Sequence, residues 1–146
     1  MHLEDFLRKL KALQTKRYEF QYELGNVPAL EDFITVEKNL GIQIPLKIKQ
    51  FYSVANGLKT KNPHFEIVAL QQWQRSTAYI HFATFDHDVD VYFATHTINE
   101  AGEWDILTME KHYCITYTIS SFWSNKLWYW LERGKPIWLP NWYEDI

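Results

Sequence analysis

The sequence predicts an α+β fold, with N-terminal helices and one C-terminal helix packed on a single antiparallel β-sheet. Three observations carry this expectation. Apolar residues up to Gly57 recur at helical spacing. From Phe65 to Thr118, short runs rich in β-branched and aromatic residues alternate with polar loops. Helical spacing then returns from Ser120. Helices first, strands second and a helix last is the order of an α+β domain, unlike the strict alternation that builds a parallel sheet. At 146 residues the chain fits one domain, 1–146, with a core of its own.

Each element has a local reason. Leu3, Phe6, Leu7, Leu10 and Leu13 lie three and four residues apart with charges between them, which predicts an amphipathic helix. Tyr18, Phe20, Tyr22 and Leu24 alternate with polar residues, a period of two that fits a strand or extended arm, with a continued helix as the alternative. Gly25-Asn26 breaks the pattern. Pro28 suits a first helical turn, and Leu30, Phe33, Ile34, Glu37 and Leu40 run along a second helix that Gly41 can end. Pro45 opens a third, with Ile48, Phe51, Tyr52 and Ala55 as its buried face and Asn56-Gly57 as its stop. Phe65 to Leu70, Tyr79 to Phe85, Val89 to Thr95, Trp104 to Met109 and Tyr113 to Thr118 read as the strands of a meander. Ser120 or Ser121 can cap a last helix carrying Phe122, Leu127, Trp130 and Leu131, which Gly134 ends. Pro136 to Trp142 reads as an extended tail that packs its rings on the domain.

Composition limits the function. The formal charge is −3, so the basic footprint of direct nucleic-acid binding is missing. Cys114 is the single cysteine, which excludes an internal disulfide framework and fits a reducing compartment. The start, Met1-His2-Leu3-Glu4-Asp5, is acidic where a signal peptide is basic, and no apolar run approaches the roughly 20 residues of a membrane span. A cytoplasmic protein without membrane attachment is expected. Aromatics are abundant, with 7 Trp, 9 Tyr and 9 Phe, which points first to a ring-filled core and second to an aromatic partner surface.

Motifs for catalysis are sparse. The chain has no Gly-x-Ser-x-Gly elbow, no Gly-rich phosphate loop and no His-Glu-x-x-His helix. His112 and Cys114 would share one face of a strand, a spacing that allows a thiol–imidazole pair, although a lone Cys in an apolar strand is usually a core residue. Asp86, Asp88 and Asp90 imitate the start of a calcium loop, but Val91 and Thr97 stand where that loop needs glycine and glutamate. Neither a metal nor a cofactor is expected, and the chain reads as a non-enzyme.

The strongest electrostatic feature is regional. Ser76 to Glu110 contains no Lys or Arg, yet holds Asp86, Asp88, Asp90, Glu100, Glu103, Asp105 and Glu110. On a strand, Asp88, Asp90 and Tyr92 share one face, and Val89, Val91 and Phe93 the other. An exposed acidic row over an apolar row follows. Acids interleaved with rings can steer a basic protein and then anchor it. The candidate contact residues are therefore Asp86, Asp88, Asp90, Glu100, Glu103 and Asp105, with Tyr92 and Trp104 as anchors.

Glu37-x-x-Leu40-Gly41, then Ile44-Pro45, then Asn56-Gly57 about eleven residues on resembles the signature of the SUKH superfamily, the Smi/Knr type, and Ser121-Phe122 extends the likeness. The resemblance runs from about Pro28 to Arg133, leaving the first helix and the aromatic tail as additions. Asp86-His87-Asp88 stands where many members carry a Gly-rich turn. What the resemblance implies is a non-enzymatic protein-binding domain. In the bacterial branch it implies an immunity protein that neutralises a cognate polymorphic toxin, with basic nucleases among the toxins. Glu37, Leu40, Gly41, Pro45, Asn56 and Gly57 are expected to form the fold and not the contact. A cytoplasmic regulatory or scaffold module of the same fold, binding a housekeeping partner, is the alternative. A small-ligand or metal site built on the His and Asp cluster is the third reading.

Overall fold

The computed structural model describes residues 2–139. A single helical turn, Leu3–Asp5, leads into α1 (Phe6–Lys16), followed by β1 (Gln21–Glu23), α2 (Leu30–Leu40) and α3 (Leu46–Ala55). The strands then run β2 (Lys59–Lys61), β3 (Phe65–Ile67), β4 (Arg75–Ser76), β5 (Tyr79–Phe85), β6 (Val89–Ala94), β7 (Asp105–Thr108) and β8 (Tyr113–Thr116). The C-terminal helical run starts with Ile119–Ser121, widens to π geometry over Phe122–Leu127 and ends with Trp128–Arg133. The fold is α+β, with one eight-stranded antiparallel sheet in the order β1-β2-β3-β5-β6-β7-β8 and β4 beside β5. β3 and β4 share one edge of β5: β3 pairs Phe65 to Ile67 with Phe85 to Ala83, and β4 pairs Arg75 and Ser76 with Ile80 and Tyr79.

The buried faces of α1, α2, α3 and the C-terminal run join the inner face of the sheet in one hydrophobic core. Phe65, Phe82 and Phe85 meet Phe122 of the C-terminal run, and Phe6 of α1 meets Phe51 of α3 and Trp123. Tyr52 sets its ring edge-on to Trp73, which continues to Phe93 and Trp104. This ring network is the core, as the aromatic content suggested. Tyr52 also solves a polar problem there: its hydroxyl donates to Val68 O (2.9 Å) and accepts from Trp73 Nε1 (2.9 Å). Trp138, in the described part of the tail, stacks on Phe85 with centroids 4.1 Å apart. The rest of the expected tail, residues 140–142, lies outside the described residues.

The signature residues act as joints between elements. Gly41 ends α2 with φ 66°, the left-handed value that favours glycine. Glu37, one turn earlier, reaches over the α2–α3 connection: its Oε2 accepts from Ile44 N (2.7 Å) and lies 3.4 Å from Lys49 Nζ. Asn56, 4% exposed, clamps three segments. Its Nδ2 donates to Asn26 O (2.7 Å) and Gln71 Oε1 (3.4 Å), and its Oδ1 accepts from Leu70 N (2.7 Å). Gly25 passes so close to this joint that a Cβ would stand 2.7 Å from Asn56 O.

Several local expectations differ from the structure. Leu30 (72% exposed) and Ile34 (55% exposed) point outward, and Phe33 and Val36 form the buried face of α2. Phe33, Val36 and Leu40 lie on the side of α2 that meets the core, and Leu30 and Ile34 lie about a third of a turn away from it. Tyr18 is exposed while Phe20 is buried, and pairing is confined to Gln21–Glu23. The C-terminal run is capped by Thr118, whose Oγ1 accepts from Ser121 N (3.1 Å), so neither Ser120 nor Ser121 is the cap. The short strands β2 and β4 carry no apolar alternation and have no counterpart in the sequence reading.

Candidate functional site

Among the described residues, the second face of the sheet is the open one. β6 sends Val91 and Phe93 into the core and leaves Asp90 and Tyr92 outside. Pairing registers place His81, Tyr92, Leu107 and Cys114 in one outer row, Thr84 with Asp90 in a second and Tyr79 level with Asp105 in a third. A bulge in β5 between His81 and Ala83 moves the outward parity from odd to even, so Thr84 joins this face. The outer residues are half-buried or exposed, while their inward neighbours Ile80, Phe82 and Ile106 are fully buried.

A recess of about 410 Å³ opens at one end of this face, lined by Asp88, Val89, Asp90, Tyr92, Met109 and Glu110. Above it, Asp90 Oδ1 accepts from Thr84 Oγ1 (3.1 Å) and lies 3.1 Å from His81 Nε2, which is itself 2.9 Å from Thr84 Oγ1. Both the hydroxyl and the carboxylate meet the same ring nitrogen. A nucleophile–base–orienter relay uses the two nitrogens for two partners, so this triangle is a different arrangement. Burial raises the Tyr92 hydroxyl from its ordinary value, and the Asp90 and Glu110 charges add to that. The Lys111 ammonium sits over two outer rings, 5.1 Å from the Tyr79 centroid and 4.9 Å from that of Tyr92. Met109, Glu110 and Lys111 bring it there through three consecutive positive φ angles of 52°, 56° and 74°. For non-glycine residues that conformation costs about 1–2 kcal/mol each.

The sequence-selected acids do not form one patch. Asp86 and Asp88 are exposed in the β5–β6 turn, and Asp90 and Tyr92 continue from them along the open face. Glu100 is exposed in the β6–β7 connection at the far end of β6, and Asp105 starts β7 there, half-buried and accepting from Asn99 Nδ2 (2.9 Å). Two candidates need correction as surface contacts. Trp104 is 2% exposed and belongs to the ring network. Glu103 is 4% exposed, and its Oε1 accepts from Ile119 N (2.8 Å), closing the start of the C-terminal run. Burial pushes its carboxyl above the ordinary range, against the opposing effects of the Ile119 hydrogen bond and the Lys47 charge. Sequence groups Glu103 with the exposed acids and Trp104 with the surface rings; Ile119 N and the rings of Trp73 and Phe93 hold both inside.

The other chemical candidates separate in space. Cys114 is half-buried, its thiol donates to Thr116 O (3.4 Å), and burial, then the Asp105 charge, hold the thiol above its ordinary pKa. His112 is exposed in the preceding turn and is not part of β8. His87 stacks on His64 with centroids 3.9 Å apart, and His96 packs edge-on to Tyr79. Burial and then the His87 charge lower the His64 pKa. Among the described residues no group of three His, Cys, Asp or Glu side chains is placed to hold a metal ion, and no helix is long and apolar enough to cross a membrane. Tyr79, Thr84 and Lys111 escaped the sequence reading. The β5 bulge hides Thr84, and Lys111 showed only as the residue that ends the base-free stretch.

No protein-family model and no curated protein matches this chain.

Proposed function

We propose that the chain is a non-enzymatic protein-binding domain whose open sheet face takes a basic protein partner. The observation that carries this reading is the open face itself. Asp88, Asp90 and Glu110 line a recess beside Tyr92 and are exposed there, while the inward residues of the same strands belong to the buried core. Exposed acids raise the encounter rate with a basic surface, and a ring at their centre supplies the area that holds the complex. Such a face neutralises charge and excludes water without any reacting group.

Within that class, the resemblance of Glu37-x-x-Leu40-Gly41, Pro45 and Asn56-Gly57 to the SUKH pattern favours an immunity protein that binds and blocks a toxin domain, for which a basic nuclease is the fitting target. Occupation of a phosphate-binding surface by Asp88 and Asp90 would block it directly. The test is affinity capture from the source cell, followed by expression of the captured protein alone and together with this chain. A partner that is toxic alone and harmless in company supports the immunity reading. A non-toxic housekeeping partner would replace it with a regulatory one.

A further inference from the structure

We propose that Tyr79 and Tyr92 form a receptor for one arginine or lysine side chain of the protein partner, and that Lys111 fills it as a self-ligand in the free protein. This inference rests on the reading of the open face as a basic-partner surface. The two tyrosines come from neighbouring strands, Tyr79 opening β5 and Tyr92 on β6, and converge on a single ammonium at 5.1 and 4.9 Å. Both distances are within the reach of a cation–π contact. The cation is thus seated between two ring faces, on a surface whose recess is otherwise lined by Asp88, Asp90 and Glu110.

The way Lys111 arrives argues for a replaceable occupant. None of the ion pairs among the described residues includes it, and its contacts there are with the two rings. It is exposed, and it is carried by a turn of three successive left-handed residues, none of them glycine. An incoming arginine offers the same charge with a planar face that stacks on tyrosine and a fork that can also reach Asp90. Exchange of Lys111 for a partner side chain therefore conserves the cation–π contacts and adds a carboxylate pairing. It also restricts the site to partners that present a basic side chain there.

The experiment is an NMR titration of the full chain with hexa-arginine at low salt, for the wild type, Lys111→Ala, and Lys111→Ala combined with Tyr79→Leu and Tyr92→Leu. Unchanged core amide signals from Ile48 and Leu131, on helices away from the substitutions, verify the fold of each. In the wild type, the ring signals of both tyrosines and the side chain of Lys111 should shift. Lys111→Ala should bind about two- to five-fold tighter, the value of one exposed cation–π contact no longer competing. Leucines at the two tyrosines leave the charge unchanged, so a gain that disappears with them belongs to the rings. A gain that survives the leucines is general electrostatics and overturns the proposal. Signals that move at Asp88 and Asp90 while both tyrosines stay still also overturn it, and leave the acidic face standing. Absence of any response overturns the basic-partner reading as well.

Discussion

Replacing Glu103 by alanine should destabilise the protein by about 1–3 kcal/mol, the cost of leaving a buried donor without an acceptor. The donor is Ile119 N, 2.8 Å from Glu103 Oε1, and the carboxylate is 4% exposed, so water has little access to take its place. For a chain of this length that is a fall in melting temperature on the order of 2–12 °C. Glutamine keeps an oxygen in the same position, so Glu103→Gln should recover most of the loss. The pair also has a pH signature. Burial raises the folded carboxyl above its ordinary value, so the folded state holds its proton where the unfolded state has lost it. That contribution is fully present below the unfolded value and disappears as pH rises through the folded one. Wild-type stability should therefore fall relative to Glu103→Gln in the window just above the usual carboxylate range. Urea unfolding of the three proteins from about pH 4 to about pH 8 measures both effects. An alanine variant as stable as wild type, or the same pH slope with glutamate and glutamine, would refute the assignment of Glu103 to the fold.

Asn56→Ala should cost about 2–4 kcal/mol, because it leaves Leu70 N and Asn26 O unpaired at one joint; a loss below about 1 kcal/mol in urea unfolding would contradict the clamp. Trp104→Ala should cost about 3–5 kcal/mol as a core cavity, whereas a surface anchor would show normal stability and weakened binding. The Cys114 thiol should react with iodoacetamide more slowly at neutral pH than a free cysteine, since its raised pKa keeps it protonated. Alkylation at the free-thiol rate would remove the burial argument.

Much of the fold was legible because its signals are local. Ile48, Phe51, Tyr52 and Ala55 mark one face of α3 by spacing alone, and all four are buried. Gly41 and Gly134 sit at helix ends with φ of 66° and 64°, the requirement that makes glycine the expected residue there. The alternation in β6 separates Asp90 and Tyr92 from Val91 and Phe93. What was not legible depends on distant partners. β2 exists because β1 and β3 flank it, with Lys59, Thr60 and Lys61 giving no apolar pattern. Glu103 and Trp104 are buried against partners distant in sequence, Ile119 and Trp73, and charge counted along the chain cannot register that. The same counting merged acids from opposite ends of β6 into one region and missed that Lys111, just outside it in sequence, lies over its centre.

The most direct measurement of the open face is the association rate of the captured partner with wild type and with the double reversal Asp88→Lys and Asp90→Lys, followed across salt concentration. Both carboxylates are exposed, but Asp90 also accepts from Thr84, so equal urea-unfolding midpoints for the two proteins are required before a rate difference is assigned to encounter. Slower association, most pronounced at low salt and converging with wild type as salt screens the charges, is the expected result. Equal rates at every salt concentration would contradict a basic partner on this face.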